Sequence, residues 1–139
     1  MKNPDKVKQG KKNKASGKAF EKKVRLDLEK NGWLVLRNPN TVIEGKFVQQ
    51  KPRFNPFTRS IQYTQTGFPD FICLKYETLI DDTGLFIIRF VECKGGNDAN
   101  KYLSKEEKEK VEWIKNNLKI PVIWAHKGIK RGEITYDKL

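Results

Sequence analysis

Apolar positions change period several times along the chain, and each change marks an element. Phe20, Val24 and Leu28 recur every four residues, the stripe of an amphipathic helix. Ser16 is placed to cap that helix and Asn31-Gly32 to end it, with Gly32 just past the C-cap. Trp33-Leu34-Val35-Leu36 predicts a first strand, stopping at Arg37-Asn38-Pro39. Two further strands are predicted at Asp70 to Lys75 and Leu85 to Lys94, joined by a polar connection through Asp81-Asp82-Thr83-Gly84. Gly95-Gly96-Asn97-Asp98 predicts a flexible loop. Ser104 and Glu107 have the spacing of a capping box, and Leu103, Val111, Ile114 and Leu118 place apolar side chains along a helix from Lys105 to Asn117. Ile120 to Ala125 predicts another strand, and Gly132 to Tyr136 a last one at a sheet edge. This order implies an α/β or α+β fold, with a mixed central β-sheet flanked by helices.

Two segments depart from these periods. Residues 1–15 carry Lys2, Lys6, Lys8, Lys11, Lys12 and Lys14 against Asp5, with almost no apolar residue. They predict a disordered basic arm ahead of a single domain at residues 16–139. Such an arm either contacts phosphates or only solubilises the chain. Residues 40–66 interleave Lys46, Lys51, Arg53 and Arg59 with Phe47, Phe54, Phe57 and Tyr63. Glu44 to Gln50 and Ser60 to Thr64 have the composition to pair as a hairpin. Cations between rings suit nucleic acid, where phosphates meet charge and splayed bases stack. A dimer-forming or core-covering hairpin is the other reading, and the two are compatible.

Charge narrows the partner. A chain of 139 residues with a formal net charge of +12 carries far more positive charge than solubility needs. The excess implies a polyanion, nucleic acid being the common one, with a membrane surface as the alternative. No apolar run approaches the roughly 20 residues of a membrane span, and the Lys-rich N-terminus lacks the apolar segment of a secretory signal. An intracellular, cytoplasmic protein is expected. Cys73 and Cys93 fall in predicted core strands and read as small buried hydrophobes in a reducing compartment. With one histidine, His126, and no Cys-x-x-Cys spacing, zinc is not expected.

Against this background Asp70, Glu92 and Lys94 stand out. Asp70 follows Pro69 and opens an apolar strand, whereas Glu92 and Lys94 close another and share a face with Ile88 and Phe90. Charges at the end of a buried face cost free energy unless something there uses them. A divalent metal and a phosphodiester use both signs. Asp70 and Glu92 offer Mg²⁺ oxygen ligands, the backbone carbonyl of Cys93 a third, and Lys94 a cation for a water or a phosphate. Glu-x-Lys also occurs at Glu21/Lys23, Glu44/Lys46 and Glu106/Lys108, but only Glu92/Lys94 ends an apolar strand. The bland reading is a same-face surface ion pair. Glu21 lies beside the first helix's apolar stripe, either as a solvated edge residue or as an acid turned toward a site, where it could add a ligand directly or through water.

These residues resemble the PD-(D/E)xK nuclease superfamily, and within it the archaeal-type Holliday junction resolvases. The likeness rests on Gly17 and Glu21, then Leu28-Glu29-Lys30-Asn31-Gly32-Trp33 and Arg37, then Asp70, Glu92, Lys94, Ile120-Pro121-Val122 and Lys127. It covers most of residues 16 to 127. It implies a restriction-endonuclease-like fold and the catalytic set Glu21, Asp70, Glu92 and Lys94. The metal would be Mg²⁺, with Mn²⁺ able to substitute, and no small-molecule cofactor is implied. The expected protein is a homodimer that recognises branched DNA by structure and resolves four-way junctions by symmetric paired nicks. The cations expected on DNA are Lys11, Lys12, Lys14, Lys18, Arg37, Lys46, Lys51, Arg53, Arg59 and Lys127. Residues 40–66 are an insertion relative to many members and resemble the stalk that bacterial resolvases carry before the catalytic Asp. Leu103-Ser104-Lys105-Glu106-Glu107 partly resembles the Leu-Ser-x-x-Gln helix of virus-type replication-repair nucleases. A nuclease acting on flaps or duplex ends, and a non-catalytic nucleic-acid-binding module, are the alternatives.

Overall fold

The chain was analysed as a computed structural model, which describes residues 3–62, 67–95 and 103–139. Lys2, Tyr63, Thr64 and the Gly96-Asn97-Asp98 loop lie outside the described residues.

Helix α1 spans Pro4–Lys30. It starts well before Ser16, so residues 4–15 are helical rather than an irregular arm. Local signals account for this. The Asn3 side chain accepts from the Asp5 amide, Pro4 sits in the first turn, and Asp5 places negative charge at the positive end of the helix dipole. Residues 3–19 are all exposed and burial begins at Phe20, so this half of the helix has no packed face and extends the half that does. Gly32, at φ +86°, ends the helix as the sequence predicts.

Five strands form the main sheet: β1 (Leu34–Arg37), β6 (Phe71–Ile80), β7 (Thr83–Cys93), β8 (Val122–Lys127) and β9 (Ile134–Lys138), side by side in that order. β7 and β8 are parallel and the other neighbours antiparallel, so the sheet is mixed. β6 runs to Ile80, past the predicted Lys75. Asp81 and Asp82 both adopt positive φ, closing a two-residue turn, and the register shifts between Tyr76 and Thr78.

The two faces bury different layers. Phe20, Val24 and Leu28 of α1 pack on Val35, Phe71, Cys73, Val91 and Ala125. Helix α2 (Lys105–Asn117) packs Val111 and Ile114 against Phe90 and Val122 on the other face. The α2 boundaries are those predicted, and Ser104 accepts from the Glu107 amide at 3.1 Å as its N-cap. Along β1, β7, β8 and β6 as far as Tyr76, odd positions therefore face α1 and even positions face α2, whereas in β9 Ile134 and Tyr136 face α1.

Residues 40–62 form two hairpins instead of the one predicted. β2 (Asn40–Ile43) pairs with β3 (Lys46–Gln49) across Glu44-Gly45, both at positive φ, and β4 (Arg53–Asn55) pairs with β5 (Ser60–Gln62). A two-residue turn at Glu44-Gly45 brings 40–43 back onto 46–49, leaving no strand free to reach residues 60–64. The first hairpin covers the core: Phe47 meets Phe90 edge-on at 5.7 Å, and Lys110 of α2 donates to Thr41 Oγ1 at 3.0 Å. Phe54, Phe57 and Ile61 of the second hairpin are exposed.

Ile114 is fully buried, whereas Lys11 touches no packed layer. Urea denaturation should find Ile114→Ala less stable by about 2–5 kcal/mol. Lys11→Gly should cost no more than about 1 kcal/mol, the helix-propensity loss alone. A larger loss for Lys11→Gly would mean that the first half of α1 is packed against something.

Candidate active site

Asp70, the residue before β6, and Glu92, near the end of β7, meet at one corner of the sheet. Each carboxylate is tied to the other strand's backbone. The Asp70 amide donates to Glu92 Oε2 at 3.1 Å, and the Cys93 amide donates to Asp70 Oδ2 at 2.8 Å. Glu92 lies on the α2 face with Phe90, as the alternation predicts, and both acids are buried, at 8% and 4% exposure.

Residues ahead of Asp70 fix its position. Asn38, completely buried, donates through Nδ2 to the Pro69 carbonyl at 2.7 Å, and its amide donates to the Asp70 carbonyl at 3.0 Å. The Gly67 amide returns a bond to the Asn38 carbonyl at 2.8 Å. A Cβ on Gly67 would sit 2.1 Å from the Asn40 carbonyl oxygen, so only glycine fits there. The sequence reading missed Asn38, and its signal was a carboxamide at a predicted strand end before proline.

Lys94 reaches the corner from the end of β7. Its ammonium lies 3.6 Å from Glu92 Oε1 and 3.1 Å from Glu107 Oε2, and it donates to Glu107 Oε1 at 3.2 Å. Glu107 thus turns its carboxylate to Lys94, so its role goes beyond the helix cap. The sequence reading assigned it no place at the site, although Leu103-Ser104-Lys105-Glu106-Glu107 carried the hint.

Electrostatics follow from burial and crowding. Burial pushes Asp70 up to about 6, with Glu21 adding to the rise and the Cys93 amide and Lys94 opposing it. Glu92 is held well above the usual carboxylate range by burial and then by the Asp70 charge, against the pull of Lys94. Burial lowers Lys94, but the charges of Glu92 and Glu107 prevail and leave it above its usual value. Burial, then the Asp70 and Glu92 charges, raise the Cys93 thiol, which keeps it a protonated packing group.

Glu21 approaches from the α1 side. It is half-buried and lines an open cleft of about 470 Å³ with Ser16, Gly17, Cys93, Gly95 and Lys127. Its charge reaches Asp70, and among the described residues no three His, Cys, Asp or Glu side chains converge as a metal cluster. The two buried carboxylates Asp70 and Glu92 fit Mg²⁺, which takes sparse oxygen donors while keeping water. A cation there would also relieve the repulsion between Asp70 and Glu92.

Of the cations expected on DNA, Lys127 stands at the cleft. Lys11, Lys12, Lys14 and Lys18 lie along the exposed half of α1, and Arg37 is exposed at the end of β1. Lys46, Lys51 and Arg59 are exposed on or beside the two hairpins and do not line the cleft, and Arg53 opens β4. Cys73 is buried as expected, its thiol pushed up to about 12 by burial, and Cys93 is half-buried. No helix of the described residues is long and apolar enough to cross a membrane. No known protein family, curated protein or solved structure matches the chain.

A carboxyl whose folded pKa is raised binds protons more tightly than in the unfolded chain, so its ionisation destabilises the fold as pH rises from about 4 to about 6. Without divalent metal, Asp70→Asn should therefore melt above the wild type at pH 7.5, and the gap should close towards pH 4. Added Mg²⁺ should raise the wild-type melting temperature more than the variant's. A gap of equal size at both pH values would mean that Asp70 is not strained by its charge.

Proposed function

We propose that this protein is a Mg²⁺-dependent endonuclease with a restriction-endonuclease-like fold, resolving four-way DNA junctions by paired nicks. The observation that carries this reading is the buried corner itself: Asp70 and Glu92 cross-linked through backbone amides, with Lys94 3.6 Å from Glu92. Two acids and a base held at a structural cost are characteristic of a chemical site. The mixed sheet with a helix on each face is consistent with the fold. The net charge of +12 suits a phosphate-rich substrate.

In this reading Asp70, Glu92 and the Cys93 carbonyl hold the ion, which when bound polarises the phosphate and acidifies a water. Lys94 is restrained by Glu92 and Glu107, so its ammonium is fixed in direction. It orients the attacking water and balances charge developing on the phosphate. Glu21, across the cleft, takes a water-mediated place. Lys127 and the α1 lysines hold the backbone of the strand that lies in the cleft.

A homodimer follows from the same reading, and one surface supports it. Leu34, Leu74 and Ile88 are aligned across β1, β6 and β7, with Leu36 on the same face and the pair Tyr76 and Phe86 beyond. All face the α2 side, and Leu34, Leu36, Tyr76, Phe86 and Ile88 are exposed. They expose roughly 500 Å² of apolar surface, the scale of the apolar core of a standard interface. None is charged, in a chain one-third charged, so a second copy suits this face better than DNA does.

Asp70→Asn and Glu92→Gln should each abolish Mg²⁺-dependent nicking of a synthetic four-way junction while leaving junction binding within a few-fold of wild type. Full cleavage by either variant would sink the catalytic assignment, and equal competition by linear duplex at moderate salt would move the substrate to another DNA structure. Phe86→Lys should shift the protein from dimer to monomer in sedimentation velocity. A wild-type monomer at tens of micromolar, or a Phe86→Lys dimer, would rule out this face as the interface.

A further inference from the structure

The turn between β8 and β9 combines features that neither the core nor the catalytic corner requires. Ile129 at its tip is fully exposed, more so than any other large hydrophobic among the described residues. Lys127, Lys130 and Arg131 surround it in the chain, all exposed, and Lys23 of α1 lines the same cleft of about 370 Å³. The turn is tightly built. Glu133 accepts from the Lys130 amide at 3.1 Å, its own amide donates to the Lys130 carbonyl at 3.1 Å, and the Gly128 amide donates to the Glu133 carbonyl at 2.9 Å. A Cβ on Gly128 would lie 2.6 Å from the Glu133 side chain, and Gly132 adopts φ +83°. A single exposed aliphatic is ordinary on a protein surface; Ile129 differs in standing at the tip of a tightly hydrogen-bonded turn among exposed cations.

Position gives the tip a use. Its cleft shares Phe20 and Lys127 with the cleft that reaches Glu21, Cys93 and Gly95. A phosphate backbone held by Lys23, Lys130 and Arg131 is thereby led toward the catalytic corner. We infer that the β8–β9 turn is a nucleic-acid clamp in which Ile129 wedges into a base step that is already unstacked or easily opened, while Lys130 and Arg131 hold the flanking phosphates. Aliphatic wedges of this kind gain most where the stack is already broken, as at a branch point. Ile129 therefore provides preference for branched DNA, and the cations provide affinity for any DNA. This inference rests on the nuclease reading and adds to it the residues that distinguish a branch from a duplex.

The test measures binding of a four-way junction and of linear duplex of the same sequence, in Ca²⁺ to prevent cleavage, across a salt series. Ile129→Ser should lower junction affinity about tenfold, leave duplex affinity unchanged and keep the salt slope. Lys130→Ala and Arg131→Ala should weaken both substrates alike and each reduce the salt slope by about one. A 2-aminopurine placed at the branch should brighten on binding wild type and stay dim with Ile129→Ser. If wild type prefers the junction and Ile129→Ser keeps that preference, the wedge is wrong and the nuclease reading stands. If wild type binds no DNA, both fall. Unchanged DNA binding by Ile129→Ser, with loss of cosedimentation on phosphatidylserine vesicles, would assign the tip to a lipid surface and overturn the proposal.

Discussion

Two carboxylates buried side by side, each accepting a backbone amide from the other's strand, set the terms for the rest of this structure. The Asp70 amide holds Glu92 and the Cys93 amide holds Asp70, so neither side chain can turn away without breaking a bond between β6 and β7. Desolvation makes the pair unfavourable when ionised, which is why both acids sit above their usual range. The surroundings are arranged to keep it in place. Asn38 and Gly67 fix the chain just before Asp70, and the Lys94 ammonium lies between Glu92 and Glu107. A corner of this kind weakens the fold and makes sense where a ligand of opposite charge repays the strain.

The sheet separates the tasks by face. Even positions carry Phe90 and then Glu92 on the α2 side, and odd positions carry Val91 and then Cys93 on the α1 side. The acids therefore belong to one layer and Glu21 to the other, and they meet only where the strands end. α1 serves twice: its second half supplies Phe20, Val24 and Leu28 to the core, and its first half presents lysines along a helix that packs on nothing in its own layer. Tyr136 of β9 donates to Asp27 at 2.6 Å, tying the edge strand to the packed half of α1. The wall of the cleft is thus rigid where Glu21 stands.

Much of this was legible in the residues. The period of Phe20, Val24 and Leu28, the Ser104 cap and the alternation ending at Glu92 and Lys94 are local signals, and each produces the element expected of it. What was hidden depends on choices between competing local signals or on distance. The lysines at residues 6–14 read as disordered because they have nothing to bury, yet the helix capped at Asn3 runs through them into the packed half that begins at Phe20. The aromatic segment was read as one hairpin because its strands look alike, and the Glu44-Gly45 turn decided the pairing. Asn38 and Glu107 were invisible as site residues because their partners lie far along the chain, at Pro69 and Lys94.

The separation of charged and apolar surface follows from the same economy. A chain with net charge +12 repels its own copies, and that repulsion is least across a face that carries no charge. β1, β6 and β7 present such a face beyond the reach of α2, because β6 and β7 extend past the helix that covers their other ends. The ends at Asp70 and Cys93 carry the buried acids, and the ends at Ile80 and Thr83 leave apolar surface exposed. A shorter hairpin would retain the acids and lose most of the face, so the length of β6 and β7 sets the apolar surface and not the acidic corner.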